Sequence, residues 1–146
     1  MKDSKTIIRK EVFNRRGFMS QIEVIQKSKV ITDKLLELDE FNRSELIMCY
    51  MDFRNEVSTR NFIDECFERG KRISIPVVKR PVGAQSYMDV CEIKDVCSEL
   101  EEGTYGILEP KKGFQRIVQP QDIDMVVVPG VAFDRAKKRI GYGAGY

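Results

Sequence analysis

The segment 129–146 holds the densest chemistry in the chain: Pro129-Gly-Val-Ala-Phe-Asp134-Arg-Ala-Lys-Lys-Arg139-Ile140-Gly141-Tyr142-Gly143-Ala144-Gly145-Tyr146. Glycines at alternate positions 141, 143 and 145 let the backbone turn tightly and bare its N–H groups. Such groups can cradle a phosphate chain, because no Cβ blocks the approach. Arg139 beside them offers a planar fork for phosphate oxygens. The run is neither GxxxxGK[ST] nor GxGxxG, since Tyr146 stands at the third glycine position. On glycine spacing alone it reads equally well as a flexible glycine-rich tail. Near the other end, Lys5 and Arg9 put two cations one helical turn apart, either for an anion or as a solvated basic face. A third piece, Phe53-Arg-Asn-Glu56-Val, carries a carboxylate that can accept hydrogen bonds from a donor-rich heterocycle. The plainer reading is a loop carboxylate favoured by a nearby helix N-terminus. Gly103-Thr-Tyr-Gly-Ile-Leu-Glu109-Pro110 is a loop with turn residues at both ends and says little alone.

Composition narrows the chemistry. The 146 residues contain no His, which excludes Ser-His-Asp and Cys-His catalysis and any His-ligated metal. Cys49, Cys66, Cys91 and Cys97 show no CxxC spacing, and Cys49 and Cys66 sit in apolar surroundings, as small buried hydrophobes do. The formal charge is +2, but it is unevenly placed: residues 1–20 carry +4 and 129–146 carry +3, leaving −5 between them. Positive charge at both ends can meet in space around an anion. A uniformly basic nucleic-acid coat is not expected, nor are aromatics interleaved with Lys and Arg. No apolar run approaches the ~20 residues of a membrane span, and a reducing, cytoplasmic location is the default expectation.

The elements that must position these residues read as one α/β domain over 1–146. Lys2 to about Arg16 reads as a helix, with Ile8, Val12 and Phe13 on one face. Ser20-Gln-Ile-Glu23 is a capping box opening a second helix to about Leu38, with Val24, Ile31, Leu35 and Leu38 recurring. Leu46–Met51 reads as a buried strand, then Ser58 or Thr59 caps a helix carrying Phe62, Ile63, Cys66 and Phe67, stopped by Gly70. Ile73–Val78 is the next strand, with Pro76 arguing for its end or an edge. Tyr87–Ile93 is a third strand, and Met125–Val128, continuous and β-branched, is the clearest. Continuous runs predict a largely parallel sheet covered on both faces, with ligands at the carboxyl ends of its strands.

In this order the pieces resemble the 5-formyltetrahydrofolate cyclo-ligase (5,10-methenyltetrahydrofolate synthetase) family. The resemblance covers most of the chain: the K-x-x-x-R helix, F-R-N-E-V, E-R-G-K-R-I-S-I-P at 68–76, G-I-L-E-P at 106–110, and V-P-G-V-A-F-D with R-I-G-Y-G-x-G-Y at 128–146. It implies a three-layer α/β sandwich of the sugar-isomerase/CoA-transferase type. It also implies cyclisation of 5-formyltetrahydrofolate to 5,10-methenyltetrahydrofolate with ATP and Mg²⁺, through a phosphorylated formyl oxygen. Carried over by position, Lys5, Arg9 and Arg139, Ile140, Gly141, Tyr142, Gly143, Ala144, Gly145 and Tyr146 match the ATP contacts. Arg139 is the residue assigned to catalysis. Met51, Glu56 and Tyr142 to Tyr146 match the folate contacts. The partners implied are small molecules, with neither nucleic acid nor membrane, and a monomer or weak dimer is expected. Two departures stand out. The family usually has Gly where Lys137 stands, so the turn before Arg139 is expected to be built differently. The family pattern also continues past Tyr146 with a second Tyr and a Mg²⁺-binding Asp, so the domain is expected to be shortened at its phosphate loop. The metal ligand is accordingly left unassigned. A non-catalytic nucleotide or folate binder is the alternative.

Overall fold

The computed structural model describes residues 2–144, the side chains of Lys2 and Asp3 aside. Helix α1 spans Lys2–Gly17 and helix α2 spans Gln21–Leu36. Between them Ser20 forms the expected capping box: its Oγ accepts from Glu23 N at 3.2 Å, and Glu23 Oε2 accepts from Ser20 N at 3.0 Å. Two otherwise orphaned donors are thereby satisfied at the start of α2. The inward stripe of α2 differs from the apolar one expected. Val24, Ser28 and Thr32 are its buried residues, whereas Ile31 and Leu38 are exposed. Ser28 and Thr32 are tolerated inside because their hydroxyls find partners: Thr32 Oγ1 donates to Ser28 O at 3.0 Å, and Ser28 Oγ accepts from Ser58 N at 2.8 Å.

A short helix α3, Asp39–Arg43, precedes strand β1, Leu46–Cys49. Helix α4, Arg60–Glu68, leads to β2, Arg72–Lys79, which pairs parallel with β1. Helix α4 stops as expected at Gly70 (φ 71°): Lys71 N reaches Cys66 O at 2.8 Å and Gly70 N reaches Phe67 O at 3.0 Å, the paired bonds of a Schellman motif. Its start is capped otherwise than expected. Thr59 makes no capping bond of its own, and Asp52 Oδ1 accepts from Thr59 N at 2.9 Å.

Strand β3, Tyr87–Ile93, pairs antiparallel with β2 in the register Ile73↔Ile93 to Lys79↔Tyr87. Helix α5, Val96–Glu99, is followed by the small ladder of β4, Leu100–Glu102, with β5, Leu108–Pro110. Strand β6, Arg116–Ile117, closes on β3, and β7, Met125–Val127, pairs parallel with β1. The sheet order is therefore β6-β3-β2-β1-β7. It is mixed rather than largely parallel: β1 pairs parallel with β2 and β7, while β3 pairs antiparallel with β2 and β6. Pro76 sits inside β2 rather than at its end. The paired register with β1 ends at Ser74, so at Pro76 the strand is already an edge on that side, where a missing N–H is tolerated.

Register places Met125, Ile47, Ile73 and Ile93 in one row across four strands. Their face of the sheet meets Phe41, Phe62, Ile63 and Cys66 in the main core, with Phe41 and Phe62 rings 5.9 Å apart. The opposite face carries a smaller cluster of Leu46, Val90 and Val118, to which no helix contributes among the described residues. Strand β7 is also not covered as its continuous apolar run predicts, since Val126 is 50% exposed. Cys49 and Cys66 lie in the main core as expected, where burial pushes the Cys66 thiol up to about 12.

Carboxylates hold the framework together. Glu99, buried at the end of α5, takes a two-pronged ion pair from Arg116 (2.7 and 3.0 Å) and a bond from Lys94 N. Asp124 accepts from Glu45 N and Leu46 N, fixing the start of β1 against β7. Arg116 holds the Glu99 carboxyl below the usual carboxylate range, and the two backbone N–H groups do the same for Asp124. A depressed folded-state pKa contributes stability that is complete above the ordinary carboxylate pKa and is lost as pH falls through the folded value. Thermal midpoints should thus fall steeply below about pH 4. Glu99→Gln should lower the midpoint at pH 7 and flatten that acid limb. An unchanged acid limb in the variant would remove Glu99 from this role.

Because β1 and β7 run parallel as neighbours, their carboxyl ends emerge side by side. The turn that follows β1 and the segment that follows β7 therefore start adjacent to each other.

Candidate functional site

After β1 the chain passes through Met51 and makes a tight turn at Phe53–Glu56, closed by Glu56 N to Phe53 O at 3.2 Å. Arg54 (φ 45°) and Asn55 (φ 55°) are both left-handed, so this is a turn of the I′ kind built without glycine. Left-handed backbone suits Asn but strains Arg. Glu56 is fixed at the exit of the turn, where its Oε2 accepts from Phe53 N at 2.7 Å. Its Oε1 accepts a short hydrogen bond from the Tyr142 hydroxyl. Burial raises the Glu56 pKa above the usual carboxylate range, against the lowering effect of those two bonds and of the Arg16 charge. Burial and the bond to Glu56 raise the Tyr142 phenol as well.

Tyr142 arrives from the segment that follows β7. Strand β8, Ala132–Phe133, and strand β9, Arg139–Ile140, pair antiparallel around the turn 134–138. Asp134 starts that turn by accepting from Lys137 N (3.2 Å) through its carbonyl and from Lys138 N (2.8 Å) through its side chain. Lys137 then takes a φ of 64°. That left-handed geometry is one glycine adopts without strain and lysine does not. Lys137→Gly should remove the left-handed strain and stabilise the fold by about 1 kcal/mol. That corresponds to a rise of roughly 2–4 °C in thermal midpoint; a fall would show that the lysine side chain contributes more than its backbone costs.

Beyond β9 the glycine-rich loop lies against α1. Arg9 Nε donates to Gly141 O at 2.8 Å, and the Phe13 ring stacks on Tyr142 with centroids 5.8 Å apart. Gly143 has a φ of 102°, which L side chains rarely adopt, and a Cβ there would meet the Arg9 guanidinium at 3.5 Å. At Gly141 a Cβ would stand 2.9 Å from Arg139 Nη1, so the bare backbone makes room for that guanidinium. Arg139 Nη1 donates to Pro129 O at 2.8 Å on the exposed surface. The positive charge of the two chain ends thus converges, as the charge distribution suggests.

Next to this junction lies a cavity of about 480 Å³ between α2 and β7. Its apolar walls include Val24, Ile31, Leu35, Phe62, Val126 and Phe133, and its polar end carries Arg16, Tyr50, Asn55 and Glu56. Size and lining suit an organic ligand with a few directing polar groups.

Of the residues singled out in the sequence, Arg9, Gly141, Tyr142, Gly143 and Glu56 are brought together. Arg139 and Ile140 form the strand leading into them. Lys5 lies on the exposed surface of α1 one turn before Arg9, and Ala144 ends the described loop. Met51 is buried in the main core rather than among the cavity-lining residues. Gly145 and Tyr146 lie outside the described residues. Arg16, Phe13 and Asn55 were not legible as site residues. Arg16 follows Arg15 in a basic helix, and nothing local separates them, although Arg15 pairs with Glu11 on the surface while Arg16 turns inward.

The model of the 5-formyltetrahydrofolate cyclo-ligase family matches residues 1–146. The "Probable 5-formyltetrahydrofolate cyclo-ligase" of Schizosaccharomyces pombe is 31% identical over 132 residues, covering 89% of this chain and 63% of that protein. The 5-formyltetrahydrofolate cyclo-ligase of Haemophilus influenzae is 27% identical over 139 residues, covering 95% of this chain and 73% of that one. Among solved structures, the 5,10-methenyltetrahydrofolate synthetase of Aquifex aeolicus superposes with a TM-score of 0.79 at 30% identity, over 97% of this chain and 69% of its own. The chain thus spans somewhat under two thirds of the yeast relative and about seven tenths of the other two.

Proposed function

The chain belongs to the 5-formyltetrahydrofolate cyclo-ligase family, and on that premise we propose that it cyclises 5-formyltetrahydrofolate to 5,10-methenyltetrahydrofolate at the expense of ATP. The observation that carries this reading is the contact between Glu56 and Tyr142. It joins the turn after β1 to the glycine-rich loop, so a heterocycle held by Glu56 would lie beside a phosphate chain held by the loop.

In the proposed reaction the formyl oxygen attacks the γ-phosphorus and ADP leaves. N10 then adds to the activated carbon and gives up its proton. The formyl oxygen departs with the phosphate, leaving the methenyl bridge. Phosphoryl transfer of this kind needs alignment and charge neutralisation more than a protein nucleophile. Arg139 and Arg9 supply positive charge at the loop, the N–H groups of Gly141 to Ala144 receive phosphate oxygens, and Glu56 orients the folate through its ring donors. Lys5 joins them as an ATP contact, and Met51, buried in the core just after β1, supports the turn that carries Glu56. Mg²⁺ is read as arriving on ATP. Among the described residues no group of three His, Cys, Asp or Glu could hold a metal ion. We read residues 1–146 as parts of one domain. Its partners are these small molecules, with no nucleic acid. No helix among the described residues is long and apolar enough to cross a membrane.

The test is the near-ultraviolet absorbance of the methenyl product, followed with 5-formyltetrahydrofolate, ATP and Mg²⁺ present and with each omitted in turn. A rise that needs ATP and folate together is expected. A flat trace from folded protein that still binds both ligands would replace catalysis with a binding-only role.

A further inference from the structure

We propose that Arg16 is a positioning residue that locks the Glu56 turn and the glycine-rich loop into one unit, so that filling either half of the site tightens the other. The ligand half of this inference rests on the proposed two-substrate reading; the mechanical half rests on geometry alone. One guanidinium serves both segments. Nη2 donates to Arg54 O at 2.8 Å and Nε to Asn55 O at 3.2 Å, the carbonyls of the two left-handed residues. Nη1 donates to the Tyr142 hydroxyl at 3.1 Å, and that hydroxyl in turn donates to Glu56.

The arrangement is reciprocated. Asn55 Nδ2 returns a bond to Arg16 O at 2.8 Å, tying the turn to the end of α1. Phe13 holds the assembly from one side, its ring 5.7 Å from the Arg16 guanidinium carbon and stacked on Tyr142. A turn with two non-glycine residues at positive φ stays in place only when its surroundings over-determine it. Here, beside the turn's own bonds between Phe53 and Glu56, both left-handed carbonyls are held by one planar fork whose spacing a lysine ammonium cannot reproduce. If the turn relaxes, Glu56 leaves Tyr142; if the loop moves, Arg16 loses its third partner. Two segments held by one guanidinium in this way are energetically coupled, and the coupling must be reciprocal between their ligands.

Two measurements decide the matter on the intact chain, with Arg16→Gln, Arg16→Lys, Tyr142→Phe and Arg16→Gln/Arg54→Gly. The first is amide hydrogen exchange without ligand. Both Arg16 variants should speed exchange about tenfold or more at Phe53 and Glu56 and also at Val131, whose N–H closes the base of the loop hairpin on Ile140 O. Adding Arg54→Gly, which relieves the positive φ, should restore the turn amides and leave Val131 fast. Changes confined to one segment, or none, would overturn the inference. The second is titration with ADP, with and without 5-formyltetrahydrofolate. Folate should tighten ADP about tenfold in the native protein and less than about twofold in Arg16→Gln, Arg16→Lys and Tyr142→Phe. Equal tightening in all four would overturn it too. Should the native protein bind neither ligand, the proposed function falls, and the exchange data alone decide whether Arg16 joins the two segments.

Discussion

Replacing Arg139 with Ala should lower kcat for methenyl formation about 10²–10³-fold, the range found when one preorganised donor to transition-state charge is removed. The transferred phosphoryl group carries its charge on peripheral oxygens, and in the proposed reaction the Arg139 guanidinium at the mouth of the loop is the group that meets them. Arg139 enters from β9, directly before the glycines, and its one described anchor is Pro129 O. That anchoring leaves the rest of the fork available and ties its position to the hairpin rather than to the core. Thermal stability should therefore change little in Arg139→Ala, because an exposed side chain with a single carbonyl partner is lost. KM for ATP should rise less than kcat falls, since the charge is needed most as the phosphoryl group transfers. Gly141→Ala, whose Cβ would press on Arg139 Nη1, should reproduce a smaller part of the loss. A kcat within about threefold of the native value in Arg139→Ala would remove this residue from the phosphate site.

Glu56→Gln should weaken 5-formyltetrahydrofolate binding about 10- to 150-fold, the worth of one hydrogen bond to a charged acceptor. A carboxylate offers about four acceptor positions, and in the free protein Phe53 N and the Tyr142 hydroxyl account for two. Ring N–H donors of a folate can take the others, whereas Gln presents a donor on one side and repels them. The fold should respond in the opposite direction. Burial raises the Glu56 pKa, so the folded state holds its proton to higher pH than the unfolded chain does. Between the ordinary carboxylate pKa and the raised value, stability falls as pH rises, and above it the ionised carboxylate opposes folding. Glu56→Gln removes that opposition, so its thermal midpoint at pH 7 should equal or exceed the native one while folate affinity drops. A variant that loses both stability and affinity would show Glu56 to be a structural acceptor. Unchanged affinity would take folate away from this turn.

How much of this was legible in the sequence differs by element. The capping box at Ser20, the Gly70 stop and strand Tyr87–Ile93 follow from local rules and appear where those rules place them. The meeting of Arg9 with Gly141 and of Glu56 with Tyr142 followed from the family resemblance and from the excess charge at both ends, but not from any single motif. Other features depend on the fold around them. Ser28 and Thr32 line the inner face of α2 because partners arrive from Ser58 and the helix backbone, which hydrophobic periodicity does not register. Pro76 sits within β2 because β1 has already ended beside it. The run Met125–Val128 reads as doubly covered, yet β7 is a sheet edge with Val126 exposed. Arg54 and Asn55 carry no glycine signal for their left-handed turn. The carbonyls of both residues accept from Arg16, which is distant in sequence and indistinguishable there from its neighbour Arg15.

The most direct test of the account is to count both products of one reaction. Native protein, 5-formyltetrahydrofolate and Mg-ATP would be mixed, and the methenyl chromophore and inorganic phosphate followed in the same sample. One phosphate for each methenyl group, with neither formed when folate or ATP is omitted, is the predicted result. Phosphate released without the chromophore, or the chromophore formed without ATP, would contradict a site that carries the phosphoryl group onto the formyl oxygen.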